Sequence, residues 1–193
     1  MKISVIIPTF NEEKFILETL KKVNDQKKTF DLEIIVVDDG SKDETINILE
    51  KNNSLFDKLI KNEKNLGKGA ALQVGFKNST GSIILIQDAD LEYDPKEYSN
   101  LINPFLIYDA DVVFGSRFRG SGPKRIIYYT HQFANKILTL ICSLLCNKNF
   151  SDIETGYKVI KKSVIDKIQF EQKDFGIEIE LVMKLSKMDA KIY

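Results

Sequence analysis

Four short apolar runs constrain this chain more than anything else in it. "KISVII", "LEIIVVDD", "SIILIQ" and "ADVVFGS" are rich in Ile and Val, and the stretches between them carry apolar residues at helical spacing. Strands that are apolar throughout, rather than at alternate positions, belong in a sheet covered on both faces. Strand–helix alternation makes such a sheet mostly parallel, so the prediction is an α/β fold: a three-layer α/β/α sandwich. "DKLIKN" is a weaker third strand in chain order. Asn11 is expected to cap a helix from about Glu12 to Lys28, with Phe15, Ile16, Leu20 and Val23 as its stripe. Ser41 and Glu44 have capping-box spacing, and Asp94, Pro95 and Glu97 stack three helix-start signals. Further helices are expected over "AALQVGFKNS", from about Ile126 to Leu145, and over "FGIEIELVMKLSKM". "AKIY" has the pattern of a strand just beginning, which suggests a chain truncated at that end.

At 193 residues there is room for one substantial core, so residues 1–193 are read as a single domain. Lys plus Arg equals Asp plus Glu, at 28 each, which gives a nucleic-acid groove no support. Cys142 and Cys146 lie four apart in an apolar run, spacing that suits two buried thiols on one helix face. "MKISVIIPTFNEE" reaches Pro8 and acidic residues before any leader-like apolar stretch, so a reducing, cytoplasmic setting is expected. The longest apolar run, "ILTLICSLLC", covers roughly 15 Å as a helix against a hydrocarbon core of about 30 Å. It is too short to span a membrane, but could pack in the core or dip into one leaflet.

In open parallel sheets, ligands sit beyond the carboxyl ends of the strands. Asp38, Asp39, Asp88 and Asp90 all fall there. Asp88 and Asp90, two apart on extended backbone, can face one point. Such a pair suits Mg²⁺ or Mn²⁺, which often bind one or two carboxylates plus substrate phosphates; it equally suits capping of loop N–H groups. Asp38 and Asp39 could accept from a ribose or base, or simply open the Asp-Gly-Ser turn. "NLGKGAAL" fails both the dinucleotide fingerprint and the P-loop, although Gly67 and Gly69 allow close backbone approach to a ligand. "GSRFRGSGPKR" gathers Arg117, Arg119, Lys124 and Arg125, suited to a diphosphate or to a solvated turn. His131 is the only histidine, so a zinc cluster is excluded, and no Ser-His-Asp or Cys-His arrangement is evident. Asp152 and Glu154 sit in a turn before Gly156, where a carboxylate could serve as a base or have no catalytic role.

In series, "VIIPTFNEEKFI", "IIVVDDGSKDET", "NLGKGAAL", "IQDADLEYDPKE", "ADVVFGSRF", "HQFANKILTL", "SDIETGYKVIKK" and "FGIEIEL" resemble the family 2 glycosyltransferases, specifically their dolichyl-phosphate mannose synthase-like branch. The resemblance covers essentially the whole chain. It implies a GT-A fold and inverting, metal-dependent transfer of a hexose from a nucleotide-diphosphate sugar, of GDP-mannose or UDP-glucose type. Residue by residue, it implies that Pro8, Glu12, Asp39, Lys68 and Lys158 border the nucleotide sugar. Asp88 and Asp90 match the Asp-x-Asp metal motif, with Asp90 the more direct ligand. Arg117 matches a phosphate-contacting arginine. Asp152 and Lys158 lie in the acceptor-side motif, and Glu178 and Glu180 in a motif without an assigned role.

The implied acceptor is a polyprenyl phosphate. Its oxygen is already anionic, so no strong base is needed; a sugar hydroxyl would need one, and Asp152 is then the candidate. Tyr128, Tyr129 and Phe133 would suit a helix lying at a membrane interface, with weak peripheral contact at the cytoplasmic face. A non-catalytic nucleotide-sugar-binding module is the main rival reading. A nucleotidylyltransferase would want a Gly-rich basic signature after the first strand, and "PTFNEEKF" has none.

Overall fold

The computed structural model describes residues 1–116, 129–153 and 155–193, without the side chains of residues 129–132. Six strands form one sheet in the order β3-β2-β1-β4-β6-β5. These are β1 (Ile3–Thr9), β2 (Leu32–Asp38), β3 (Lys58–Lys61), β4 (Ile83–Ile86), β5 (Val112–Phe114) and β6 (Lys158–Lys161). The first four run parallel, and β6 lies antiparallel between β4 and β5. The helices are α1 (Ile16–Asp25), α2 (Thr45–Lys51), α3 (Lys68–Asn78), α4 (Tyr98–Ile107), α5 (Tyr129–Cys146), α6 (Lys162–Ile165) and α7 (Gly176–Lys187). The expected three-layer α/β/α sandwich is present.

The period of two along each strand sorts the core into two layers. Val5, Ile7, Ile34, Val36 and Leu85 pack with Leu20 of α1, Leu49 of α2 and Ile102 of α4. Ile6, Ile35, Val37, Ile84 and Ile86 pack with Leu72 and Phe76 of α3 and Leu181 and Leu185 of α7. Each such side chain contributes roughly 1.5–3 kcal/mol by leaving water. α3 sits so close to β1 that a Cβ on Gly75 would lie 2.4 Å from Ile6 Cγ2, so only glycine allows this approach.

Register places the site. Thr9 pairs with Asp38, and Ile6 with Ile86, so Pro8–Thr9, Asp38–Asp39 and Gln87–Asp88 emerge at one edge of the sheet. Two bonds continue that alignment beyond the strands: Asp39 N–H donates to Thr9 O at 2.8 Å, and Gln87 N–H to Ile6 O at 3.0 Å.

Several local expectations give way to tertiary bonding. α1 starts at Ile16 rather than near Glu12, and Asn11 is not its cap. Asn11 instead takes a left-handed backbone (φ 55°), its side chain accepting from Lys42 N–H and its own N–H donating to Ser41 Oγ. The Ser41–Glu44 box does not form, because Glu44 N–H goes to Glu13 and Thr45 N–H to Asp43. The two loops are thus laced together, which sets the floor on which residues 8–12 lie. The Asp94 signal holds: its side chain accepts from Lys96 N–H, with Pro95 next, and a 3₁₀ turn leads into α4. Strand β6 has no counterpart among the expected elements; only two apolar residues stand between its terminal lysines. Cys142 is buried as expected, but Cys146 is half-exposed, and both are free thiols. At the end of the chain, Ile192 bridges to Val112 in parallel, and Phe114 N–H donates to Tyr193 O at 2.9 Å, so the strand opening seen in "AKIY" is real.

Behind the sheet edge remote from the site, Glu33 is buried and accepts from Ser4 Oγ, Thr80 N–H, Thr80 Oγ1 and Lys58 Nζ. Burial alone would raise its carboxyl, but these donors outweigh it and bring the pKa to about 2, from 4.5. A depressed carboxyl stabilises the fold at pH values above 4.5, and that contribution disappears as pH falls through about 2. The shift corresponds to roughly 3 kcal/mol. Urea midpoints measured from pH 5 to pH 2 should therefore fall steeply for the wild type and much less for Glu33→Gln, which starts from a lower plateau. Parallel curves would show that Glu33 is not the titrating group.

Candidate active site

A cleft of about 610 Å³ opens where the strand ends converge. Pro8, Phe10 and Glu12 line it from the end of β1 and the loop after it, Asp39 from just past β2, Asn65, Gly67 and Lys68 from the lead-in and start of α3, Asp88, Ala89, Asp90, Glu92 and Tyr93 from the loop after β4, and Phe175 and Glu178 from the start of α7. Of the expected site residues, Pro8, Glu12, Asp39, Lys68, Asp88 and Asp90 are brought together here.

Asp39 is buried and holds the wall rather than standing free. Its carboxylate accepts from Asn62 Nδ2 at 2.7 Å, Gly67 N–H at 2.7 Å and Leu66 N–H at 3.0 Å, folding residues 62–67 around the cleft. Asp38 caps the turn instead, accepting from Gly40 and Ser41 N–H.

Across from it, Lys68 Nζ lies 2.7 Å from Asp88 Oδ1 and 2.9 Å from Glu178 Oε1. Burial disfavours its charge, but these two carboxylates prevail and hold its pKa above the ordinary lysine range. Glu178 also pairs with Lys158, which in turn donates to Thr155 O. Burial opposes the Glu178 charge as well, and Lys158 and Lys68 together keep its carboxyl below the usual range. Asp88, Lys68, Glu178 and Lys158 therefore form one chain of alternating charge running inward from the cleft.

Asp90 is placed differently. Its Oδ1 accepts from Glu92 N–H at 3.0 Å within its own loop. Glu12 faces the same space, and burial together with Asp90, Asp43 and Asp88 pushes its carboxyl above the ordinary value. Among the described residues, no three His, Cys, Asp or Glu side chains are grouped so as to hold a metal ion unaided. The donor set here is two carboxylates with oxygen ligands only. It fits Mg²⁺ or Mn²⁺, which keep waters and share substrate phosphates, and does not fit zinc.

Two expected residues lie behind the cleft. Lys158 is 0% exposed and reaches it only through Glu178, which corrects the expectation of direct donor contact. Asp152 is 3% exposed, accepts from Asn135 Nδ2 at 2.8 Å and does not line the cleft, so its placement is not that of a base at the donor. Arg117, Arg119, Lys124, Arg125, Tyr128 and Glu154 lie outside the described residues, as do the side chains of Tyr129 and His131.

The profile of Glycosyl transferase family 2 matches residues 4–169. The chain belongs to that family. This glycosyltransferase is 34% identical to the uncharacterized protein MJ0544 of Methanocaldococcus jannaschii, over 97% of the chain and 83% of the relative. It is 28% identical to the dolichol-phosphate mannosyltransferase of Pyrococcus furiosus over 95% of the chain, and spans only 53% of that protein's length. In three dimensions it is similar to glucosyl-3-phosphoglycerate synthase from Mycobacterium tuberculosis, crystallised with Mn²⁺, UDP and glucosyl-3-phosphoglycerate. That likeness has a TM-score of 0.80 at 20% identity, over 99% of this chain and 68% of the other, and bears on the fold alone. S. aureus TarS 1-349 aligns with a TM-score of 0.69 at 26% identity, over 100% of this chain and 57% of that one.

The glycosyltransferase also uses residues that the motifs did not single out. Gln87 is fully buried under the Asp88–Asp90 loop. Its Oε1 accepts from Tyr98 and Tyr157 hydroxyls at 2.9 and 3.0 Å, and its Nε2 donates to Asp88 O at 2.9 Å. A buried amide bonded in this way fixes the backbone from which both aspartates project. Polarity immediately after an apolar strand was the one available hint. Tyr93 Oη accepts from Gly156 N–H at 2.7 Å, joining that loop to the lead-in of β6.

Proposed function

We propose that this glycosyltransferase moves a hexose, with inversion, from a nucleotide-diphosphate sugar of GDP-mannose or UDP-glucose type to a polyprenyl phosphate. The observation that carries the donor half is the cleft itself, with Asp90 and Asp88 in one loop and Lys68 clamped beside them. Asp90, with Asp88, would hold Mg²⁺ or Mn²⁺, which when bound neutralises charge on the departing nucleoside diphosphate. Lys68 supplies a protein cation to the same phosphates, and Arg117 is proposed to join it. Pro8, Glu12 and Asp39 border the nucleotide, Asp39 by holding the wall formed by residues 62–67.

The acceptor half is supported by α5. Ile137, Leu140, Ile141, Leu144 and Leu145 form an exposed apolar stripe on it, while Cys142 on the opposite face packs against Val182 and Ile153. Residues 112–151 hold six Lys or Arg and no Asp or Glu, in a chain whose total charge is zero. Apolar surface flanked by positive charge suits a lipid phosphate at an anionic leaflet. Among the described residues, no helix is long and apolar enough to cross a membrane, so the contact proposed is weak and peripheral. The named dolichol-phosphate mannosyltransferase relative supports the same acceptor class.

Incubation with Mn²⁺, each donor, and either polyprenyl phosphate in anionic liposomes or a soluble glycan, with products read by mass, is the test. A hexosyl-phospholipid is the expected product, together with co-sedimentation that weakens when Leu140 and Leu144 are changed to Ser. Transfer to the soluble glycan alone would overturn the lipid reading.

A further inference from the structure

We propose that Glu178 is a positioning residue of the transfer reaction: with Asp88 it fixes the Lys68 ammonium in the cleft as a cation for the donor diphosphate, and Lys158 is its buried counter-ion. This rests on the donor reading above. The four groups come from four elements: Lys68 opens α3, Asp88 follows β4, Lys158 opens β6 and Glu178 lies in the first turn of α7. An ammonium has three donors. Asp88 Oδ1 and Glu178 Oε1 pair with it at 2.7 and 2.9 Å, and Lys68 lines the cleft, where a donor diphosphate would meet it. The Phe175 ring, its centroid 5.9 Å from Lys68 Nζ, covers the same group at the mouth of the cleft.

Charge explains the fourth member. Lys68 between two carboxylates would present a net negative site, which repels a diphosphate. Lys158, fully buried and paired with Glu178, brings the group back to neutrality. Lys68 is thereby held by Glu178 without being quenched by it. A flexible lysine on the surface would have to be ordered by each donor that arrives; here the protein has ordered it in advance.

Glu178→Gln alone leaves Lys158 buried and unpaired, so it is expected to lower the melting temperature as well as activity. The informative variant is Glu178→Gln combined with Lys158→Met, which removes the inner pair together and lets Met lie against Phe114, where the Lys158 ammonium now sits. GDP and UDP are titrated calorimetrically, in EDTA and in Mn²⁺, into the wild type, this double variant and Lys68→Met, alongside donor KM and kcat. In the double variant the melting temperature should stay near the wild-type value. Its diphosphate affinity in EDTA should fall about tenfold, the worth of one charge-assisted hydrogen bond, with donor KM rising to match. Wild-type affinity and KM in the double variant, with a loss in Lys68→Met, would overturn the positioning role and leave the donor reading intact. No loss in Lys68→Met either would overturn both.

Discussion

Replacing Asp90 with alanine is expected to abolish metal-dependent nucleotide binding and to lower transfer about a thousandfold, the scale of losing preorganised charge stabilisation at a leaving group. The fold should survive. Asp90 lines the cleft, and its bond to Glu92 N–H lies within its own loop. The loop is anchored by other groups: Thr19 Oγ1 donates to Ala89 O at 2.8 Å, and Gln87 Nε2 to Asp88 O. Losing one partly buried bond within a loop costs about 1 kcal/mol, so the melting temperature should move little. Asp88 is not expected to hold the ion alone, because one of its two oxygens is already 2.7 Å from Lys68 Nζ. Titration of GDP and UDP with and without Mn²⁺ decides the matter. If Mn²⁺ strengthens binding equally in Asp90→Ala and the wild type, Asp90 is a loop cap and the metal sits elsewhere.

Strands β1, β2, β4 and β5 were legible because burial on both faces leaves an unmistakable apolar run. The edge of the sheet at which the cleft opens followed from the parallel order alone. β6 was not legible, because its stability comes from neighbours: Val159 and Ile160 are buried between β4 and β5, and two apolar residues between lysines make no strand signal alone. The helix caps failed for a related reason. Asn11 and Ser41 have good local capping chemistry, yet each is the other loop's partner, 30 residues away in sequence. Within the site, residue identity was legible and depth was not. Lys158 reads as the basic residue of a motif and Asp152 as a loop carboxylate, but both are buried, since each faces a helix brought from elsewhere in the chain. Glu178 had no physical role until Lys68 and Lys158 were seen on either side of it. Gly156 was only a turn residue in a motif.

Its role can be tested, and the effect should be large. A Cβ on Gly156 would lie 2.1 Å from Asp88 Oδ2 and 2.7 Å from Tyr93 Cε2, separations no real side chain shows. Tyr93 has little room to retreat, since its ring packs 4.7 Å from that of Tyr157 and its hydroxyl receives Gly156 N–H. Asp88 must therefore turn away, which breaks its contact with Lys68 and frees that ammonium to drift toward Glu178. A displacement of about 1 Å in a positioning group costs roughly a hundredfold in rate, so Gly156→Ala is expected to lose transfer on that scale. Crowding in a packed region also costs about 1–3 kcal/mol of stability. The double-mutant cycle with Asp88→Ala separates the two effects. If the rate loss acts through Asp88, Gly156→Ala should lower activity much less in the Asp88→Ala background than in the wild type, while its stability cost against Tyr93 persists. Equal rate losses in both backgrounds would mean that Gly156 matters only for packing against Tyr93, and that the Asp88–Lys68 contact does not govern the rate.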